Sequence, residues 1–339
     1  MAEQLLAAYT TSRVGGPAAE LVTARTEAEL IEAVRGADDA GVPLLVVGGG
    51  SNLLVADDGF DGRVVLVRTE GVSADVDACG GAVVRVAAGE SWDALVARAV
   101  ESGWRGVEAL SGIPGQVGAT PIQNVGAYGQ EVAEAIASVR CWDRRAGAVT
   151  TLFNRDLRFG YRTSRLKAEP GRFVVLEVVW QFRLGDLGSA VVYAELADRL
   201  GVAIGDRAAA ADVRAAVLEL RRGKGMVLDE DDHDTWSTGS FFTNPVVDPV
   251  EIPGGAPSWP AEEGKVKTSA AWLIEHAGFA KGYGAGPATL SSKHTLAVTN
   301  RGSATTEDLL GLAREVRDGV RTRFGITLVN EPQLVGCSL

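Results

Sequence analysis

Two glycine-rich strings are the residues of this chain best suited to hold a ligand. The first is Gly48-Gly49-Gly50-Ser51-Asn52, directly after the apolar run Val42–Val47. Successive backbone N–H groups in such a turn point inward and cradle an anion, and Ser51 and Asn52 can add side-chain donors. The second runs from Gly112 to Gly129, GIPGQVGATPIQNVGAYG. Its glycines, with Gly106 just upstream, sit among small residues and suit neither a long helix nor a regular strand. A dinucleotide fingerprint on a helix N-terminus requires G-x-G-x-x-G. Here Gly48 and Gly50 fit, but Leu53 stands where the third glycine belongs, and the P-loop string is absent. One such turn alone is weak evidence. Two glycine loops, each leaving a strand, suggest one long phosphate-bearing ligand gripped from two sides.

Other chemistry has little to draw on. The three histidines, His233, His276 and His294, form no HExxH, so a zinc site or a histidine-based triad is not expected. The three cysteines, Cys79, Cys141 and Cys337, lie far apart without a CxxC pair, which suits a reducing cytoplasm better than a disulfide scaffold.

The elements that must position these loops follow from periodicity. Thr26 and Glu29 fit a T-x-x-E capping box before Leu30, Ile31 and Val34 at helical spacing. The first glycine loop reads as strand–loop–strand: Val42–Val47, the loop, then Leu53–Val55 and Arg63–Arg68. Val83–Ala87 alternates as a strand, Ser91 caps a helix bearing Trp92, Leu95, Val96 and Ala99, and Gly103 suits its C-terminal stop. Strands resume at Ser138–Trp142 and Phe173–Phe182. Asp212–Arg222 and Lys267–Ala277 read as helices. The acidic DEDDHD string at 229–234 reads as a solvated loop, and Ser240–Pro245 as a short strand or turn. Thr306–Phe324 is a long amphipathic helix ended by Gly325, and Ile326–Val329 is the expected final strand. This mixture predicts an α+β or α/β protein.

The chain has 339 residues, room for two or three domains, and 42 glycines, about one residue in eight against a usual ~7%. The formal net charge of -11 lacks the electrostatic footprint of a nucleic-acid or anionic-membrane binder. No apolar run approaches the ~18 residues of a membrane span, and the first residues lack the pattern of a signal peptide.

Taken together, GGGSNLL at 48–54, the string at 112–129, FGYRTS at 159–164, GSFFTNP at 239–245, KTSAAWLIEHAG at 267–278 and EPQLVG at 331–336 resemble, in order, the UDP-N-acetylenolpyruvoylglucosamine reductase family. Val191-Val192-Tyr193 resembles the tyrosine-bearing loop of the first of its two types. The resemblance implies an α+β chain: a two-lobed FAD-binding domain of the vanillyl-alcohol-oxidase (PCMH) type plus a C-terminal α+β substrate-binding domain. The expected divisions are lobe one at 1–68, completed by the C-terminal strand 326–339, lobe two at 69–205, and the substrate domain at 206–325.

The implied activity is an oxidoreductase of cell-wall synthesis, a cytoplasmic monomer. NADPH reduces FAD, and the enolpyruvyl group of UDP-N-acetylglucosamine enolpyruvate is then reduced to give UDP-N-acetylmuramate for peptidoglycan, a step tied to cell shape and division. By the resemblance, Arg162 stabilises the charge developing on the substrate as a permanently cationic, bidentate donor. Ser240 gives the proton to C2, and Glu331 pairs with Arg162 or stabilises the enol. FAD would be held by Gly48, Gly49, Gly50, Ser51, Asn52, Ile113, Pro114, Gly115, Gly118, Ala119, Ile122, Gly126 and Ala127. The substrate would be held by Tyr161, Tyr193, Lys224 and Asn244. The alternative is another FAD-dependent oxidoreductase of the same superfamily. Such enzymes often attach flavin through histidine or cysteine, and neither glycine loop contains one.

Overall fold

The computed structural model describes residues 5–339. Its contacts separate two compact units. Among the described residues, one comprises 5–19, Gly50–Phe60 and Gly223–Leu339; the other comprises Glu20–Gly49 and Asp61–Arg222. The first glycine loop therefore falls where the chain passes from one unit to the other.

The unit made of Glu20–Gly49 and Asp61–Arg222 holds two main sheets, of three and six strands, and two two-stranded ribbons. The smaller runs in the order Ala18–Ala24, Phe60–Val67, Leu44–Val47, the last two parallel with Leu45 opposite Val64. The helix Glu27–Asp39 begins as its sequence predicts: Glu29 N–H donates to the Thr26 hydroxyl at 3.2 Å. The Glu29 carboxylate, however, accepts from Arg25 N–H rather than closing the box on Thr26. Leu30 and Val34 on its inner face share a core with Val65 and Val67.

The larger sheet is antiparallel along the order Ala148–Phe153, Ile136–Asp143, Phe173–Leu184, Gly81–Ala87, Val72–Asp77. Phe173–Leu184 alternates less than a half-exposed strand would, because Val175 and Val179 are buried along with Val174, Leu176, Val178, Trp180 and Phe182. Trp180 lies 5.3 Å from Trp92 of the helix Trp92–Glu101 and 5.8 Å from Phe182, so three aromatic rings anchor helix to sheet. A helical pair, Ala194–Leu200 and Ala210–Gly223, packs around Val191, Leu196, Val213 and Val217.

The other unit is built on the helices Ala270–His276 and Thr306–Phe324 and the hairpin Ala288–Leu290/Val298–Asn300. Leu273, Ile274, Leu290, Leu309, Ala313, Val316 and Val320 form its core with Phe241 and Phe242. Thr306–Phe324 has the predicted bounds. Asp308 N–H donates to the Thr305 hydroxyl, Thr305 N–H donates back to the Asp308 carboxylate, and Gly325 ends the helix at φ +74°.

Three expectations fail here. Ile326–Val329 is not a ladder strand. Ile326 and Leu328 are buried in the helical core, and the last strand is Gln333–Val335, parallel to Leu53–Val55. Lys267 and Thr268 are strand rather than helix: Val266–Thr268 pairs with Val246–Val247 and Ser258–Pro260, and the helix starts only after its cap at Ser269. The acidic 229–234 string is not simply solvated. Asp234 is 4% exposed and accepts from Ser292 N–H, the Ser292 hydroxyl and Arg301. Lys293 pairs with Asp232, and Arg13 with Glu230.

Candidate active site

The first and second glycine strings meet. A Cβ on Gly49 would stand 2.7 Å from the Cα of Gly115, and one on Gly48 would stand 2.8 Å from the Gln116 side-chain oxygen. Only glycine lets the two backbones run this close. The second string is fixed from behind: Trp92 N–H donates to the Gly115 carbonyl, Val117 N–H to Glu90, and Gly118 N–H to Ala88. Gly118 has no room for a side chain, which would lie 2.6 Å from the Ala88 methyl. Arg68 donates to the Gly48 carbonyl at 3.0 Å, and Gln116 donates to Val67 O at 2.9 Å. Ile113, Pro114 and Gly115 are partly accessible beside this crossing, and Ala119 and Ile122 are exposed farther along. The two strings thus cross with bare backbone at their closest approach, a surface of the kind a dinucleotide can reach. That is the fit the residues offer for FAD.

Arg162 stands at the tip of a tight turn. Gly160 and Thr163 exchange backbone hydrogen bonds at 3.1 and 3.2 Å, leaving Tyr161 and Arg162 at the apex, with Arg162 at φ +52°. Asn124 holds this turn: its side-chain amide donates to the Gly160 carbonyl and to the Glu131 carboxylate. The Arg162 guanidinium donates to Gly126 O at 2.8 Å and lies 5.6 Å from the Tyr161 ring. The second glycine string therefore seats the arginine as well as lining the cradle. Asn124 escaped the sequence reading. Its signal was there, as an asparagine inside a glycine-rich string. It is 1% exposed and left-handed at φ +48°, a conformation asparagine tolerates better than most residues.

Tyr193 and Val192 project half-exposed from the segment before the helix Ala194–Leu200. Arg221, on the helix Ala210–Gly223, is buried enough that its guanidinium is pushed down to about 10, the fields of Tyr128 and Asp93 opposing that fall.

In the other unit, Ser240 and Glu331 lie on facing strand-like segments. Phe242 bridges Asn330 in antiparallel fashion, Glu331 N–H donates to Phe241 O at 2.8 Å, and Thr243 N–H donates to Val329 O. Phe241 and Phe242 are buried in edge-to-face contact, so two aromatic anchors fix the residues that follow Ser240. Gly239 before it adopts φ +75°. Asn52, from the first glycine string, donates to the Glu331 carbonyl at 3.3 Å and accepts from Gln333 N–H. Gly50 is forced to be glycine: at φ +61°, a Cβ would lie 1.8 Å from the Tyr9 carbonyl. The Asn244 side-chain oxygen accepts from Ala270 N–H, at the start of the helix Ala270–His276. Lys224 is half-buried just after the helix Ala210–Gly223.

Known proteins resemble the chain along its length. Residues 18–152 match the FAD binding domain model, and residues 231–335 match that of the UDP-N-acetylenolpyruvoylglucosamine reductase C-terminal domain. The UDP-N-acetylenolpyruvoylglucosamine reductase of Cutibacterium acnes is 58% identical, aligned over 98% of this chain and 90% of the relative. That of Streptomyces coelicolor is 57% identical over the same shares. The crystal structure of UDP-N-acetylenolpyruvylglucosamine reductase (MurB) from Thermus caldophilus superposes with a TM-score of 0.69 at 30% identity, covering 98% of this chain and 97% of that one.

Proposed function

Since the chain belongs to the UDP-N-acetylenolpyruvoylglucosamine reductase family, we propose that it reduces the enolpyruvyl group of UDP-N-acetylglucosamine enolpyruvate to UDP-N-acetylmuramate, with FAD as cofactor and NADPH as reductant. The observation that carries the reading is the crossing of Gly48–Gly49 with Gly115–Gln116. It leaves a backbone-lined cradle inside a chain whose likeness to these reductases runs end to end.

When bound and reduced by NADPH, FAD would supply the hydride needed at C3 of the enolpyruvyl group. The remaining work falls to side chains. As negative charge grows at C2 and on the carboxylate, the Arg162 guanidinium opposes it. The turn at Gly160–Thr163 and the Gly126 carbonyl hold that group in place before the charge develops. The Ser240 hydroxyl delivers the proton to C2. Serine is a weak acid, so the alkoxide it leaves must be stabilised or reprotonated by relay as its proton passes to C2, while Glu331, on the facing segment, pairs with Arg162 or stabilises the enol. Gly48, Gly49, Gly115, Gly118, Gly126 and Ala127 offer backbone to the flavin nucleotide, with Gly50, Ser51, Asn52, Ile113, Pro114, Ala119 and Ile122 flanking them. Tyr161, Tyr193, Lys224 and Asn244 hold the substrate, Tyr193 and Lys224 toward its nucleotide end. The chain works as three parts: 1–68 completed by 326–339, 69–205, and 206–325. The protein works as a cytoplasmic monomer in peptidoglycan synthesis, and so in cell shape and division. Among the described residues no helix is long and apolar enough to cross a membrane.

Steady-state turnover with product analysis tests the reading. Mixing the purified protein, NADPH and the enolpyruvyl sugar nucleotide should consume NADPH and give a product heavier by two hydrogens. NADPH consumption indifferent to that nucleotide would contradict it.

A further inference from the structure

The second glycine string ends in a feature that neither cofactor cradle nor Arg162 accounts for. Gly126–Ala127 and Gln130–Glu131 pair as a minimal hairpin, Gly126 opposite Glu131 and Ala127 opposite Gln130. The two-residue turn between them is Tyr128-Gly129, with φ of +49° and +85°. Positive φ at both central positions is the type I′ pattern, which favours Asn-Gly or Gly-Gly. A tyrosine in the first position is conformationally costly. Such strain persists where the side chain is wanted for something else.

The tyrosine side chain meets the 191–193 segment. Val191 is pinned: it is 3% exposed, its N–H donates to Asp206 O and its carbonyl accepts from Gly205 N–H, both at 2.8 Å. The Tyr193 carbonyl accepts from Leu196 and Ala197 at the start of the following helix. Backbone is therefore secured on both sides, and only the Val192 and Tyr193 side chains stand out. Both rest on the hairpin tip. The Tyr193 ring lies 5.8 Å from the Tyr128 ring at 74°, edge to face. A Val192 methyl lies 2.1 Å from where a Gly129 Cβ would be. Burial pushes the Tyr128 hydroxyl up to about 12.

We propose that the Tyr128-Gly129 turn is the seat that sets the position of Tyr193, which makes Tyr128 a positioning residue for the nucleotide end of the substrate. This rests on the substrate role of Tyr193 given above. Gly129 leaves room for the Val192 methyl, and Tyr128 presents a ring edge-to-face that removes rotational freedom from Tyr193 before the nucleotide arrives. The flavin-facing string and the substrate-gripping segment are thereby one mechanical piece.

The test uses the flavin-loaded full chain, with kcat and KM for the enolpyruvyl sugar nucleotide and, separately, the rate of flavin bleaching by NADPH. Tyr128→Leu should raise KM roughly 3- to 10-fold, the worth of one edge-to-face contact, with kcat and bleaching rate within about twofold. Tyr128→Phe should restore the wild-type KM. In a Tyr193→Ala background, Tyr128→Leu should add nothing, because the two act as a unit. The proposal is overturned if Tyr128→Leu costs as much without Tyr193 as with it, or if Tyr128→Phe is as impaired as Tyr128→Leu. It also falls if Tyr193→Ala leaves KM unchanged. Should Tyr128→Leu not fold, Val192→Ala at the exposed tip takes its place. A raised KM with normal bleaching supports the seat, and an unchanged KM overturns it. A wild-type protein that never turns over the nucleotide would instead sink the proposed function itself, so the two failures are separable.

Discussion

Ser240 carries an identity that little in its surroundings would suggest: a half-buried hydroxyl ahead of two phenylalanines in a packed core. Its proposed role as acid gives it a separable signature. Ser240→Ala should lower turnover by roughly 10²- to 10⁴-fold, the usual worth of a positioned acid, while stopped-flow bleaching of the flavin by NADPH stays at the wild-type rate. Near-normal turnover would reassign the acid. Gly50 makes a second residue-scale claim. Because its φ is +61° and a Cβ would sit 1.8 Å from the Tyr9 carbonyl, Gly50→Ala should destabilise the protein by roughly 2 kcal/mol or more and leave it poor in flavin. Thermal melting and the absorbance ratio of flavin to protein would read both effects.

Among the elements, the acidic 229–234 segment works as a fastening. The chain must pass from the helix Ala210–Gly223 to Ser240, and Asp234 ties that passage to Ser292 and Arg301. Burial alone would raise the Asp234 carboxyl, but the bonds from Ser292 and the charge of Arg301 outweigh it and hold the carboxyl below its ordinary range. A carboxyl depressed on folding contributes stability above its unfolded value, roughly pH 4, and that stability is lost as pH falls through the lower folded value. Asp234→Asn should therefore lower stability at neutral pH by roughly 2 kcal/mol and flatten the acid limb of the melting curve. A variant melting like the wild type from pH 7 to pH 3 would refute the fastening. This element also shows where sequence reading stops. Helices with both a cap and an apolar stripe, such as Thr306–Phe324, were legible with their bounds. The acidic string was not, because its partners Ser292, Arg301 and Arg13 lie 58, 67 and 217 residues away and charge alone reads as solvation. Ile326–Val329 misled for a related reason. A short apolar run looks the same whether it joins a ladder or buries two side chains under a helix.

For the whole molecule, the glycine strings and the ordered motifs made the cofactor class and family legible from sequence. The contact-defined units are discontinuous, with Leu53–Val55 finding its strand partner in Gln333–Val335, 280 residues away. A cradle built from backbone also predicts how the molecule responds to its cofactor. Stripping FAD should lower the melting temperature by several degrees, and adding free FAD at 100 times its dissociation constant should restore roughly 2.7 kcal/mol. Melting that ignores FAD would speak against the cradle. The central claim is that reducing equivalents pass from NADPH through bound flavin to the enolpyruvyl group. Anaerobic flavin absorbance tests it most directly. NADPH should bleach the yellow protein, and one equivalent of UDP-N-acetylglucosamine enolpyruvate should bring the colour back without oxygen. A bleached protein that stays colourless until air is admitted would contradict the account.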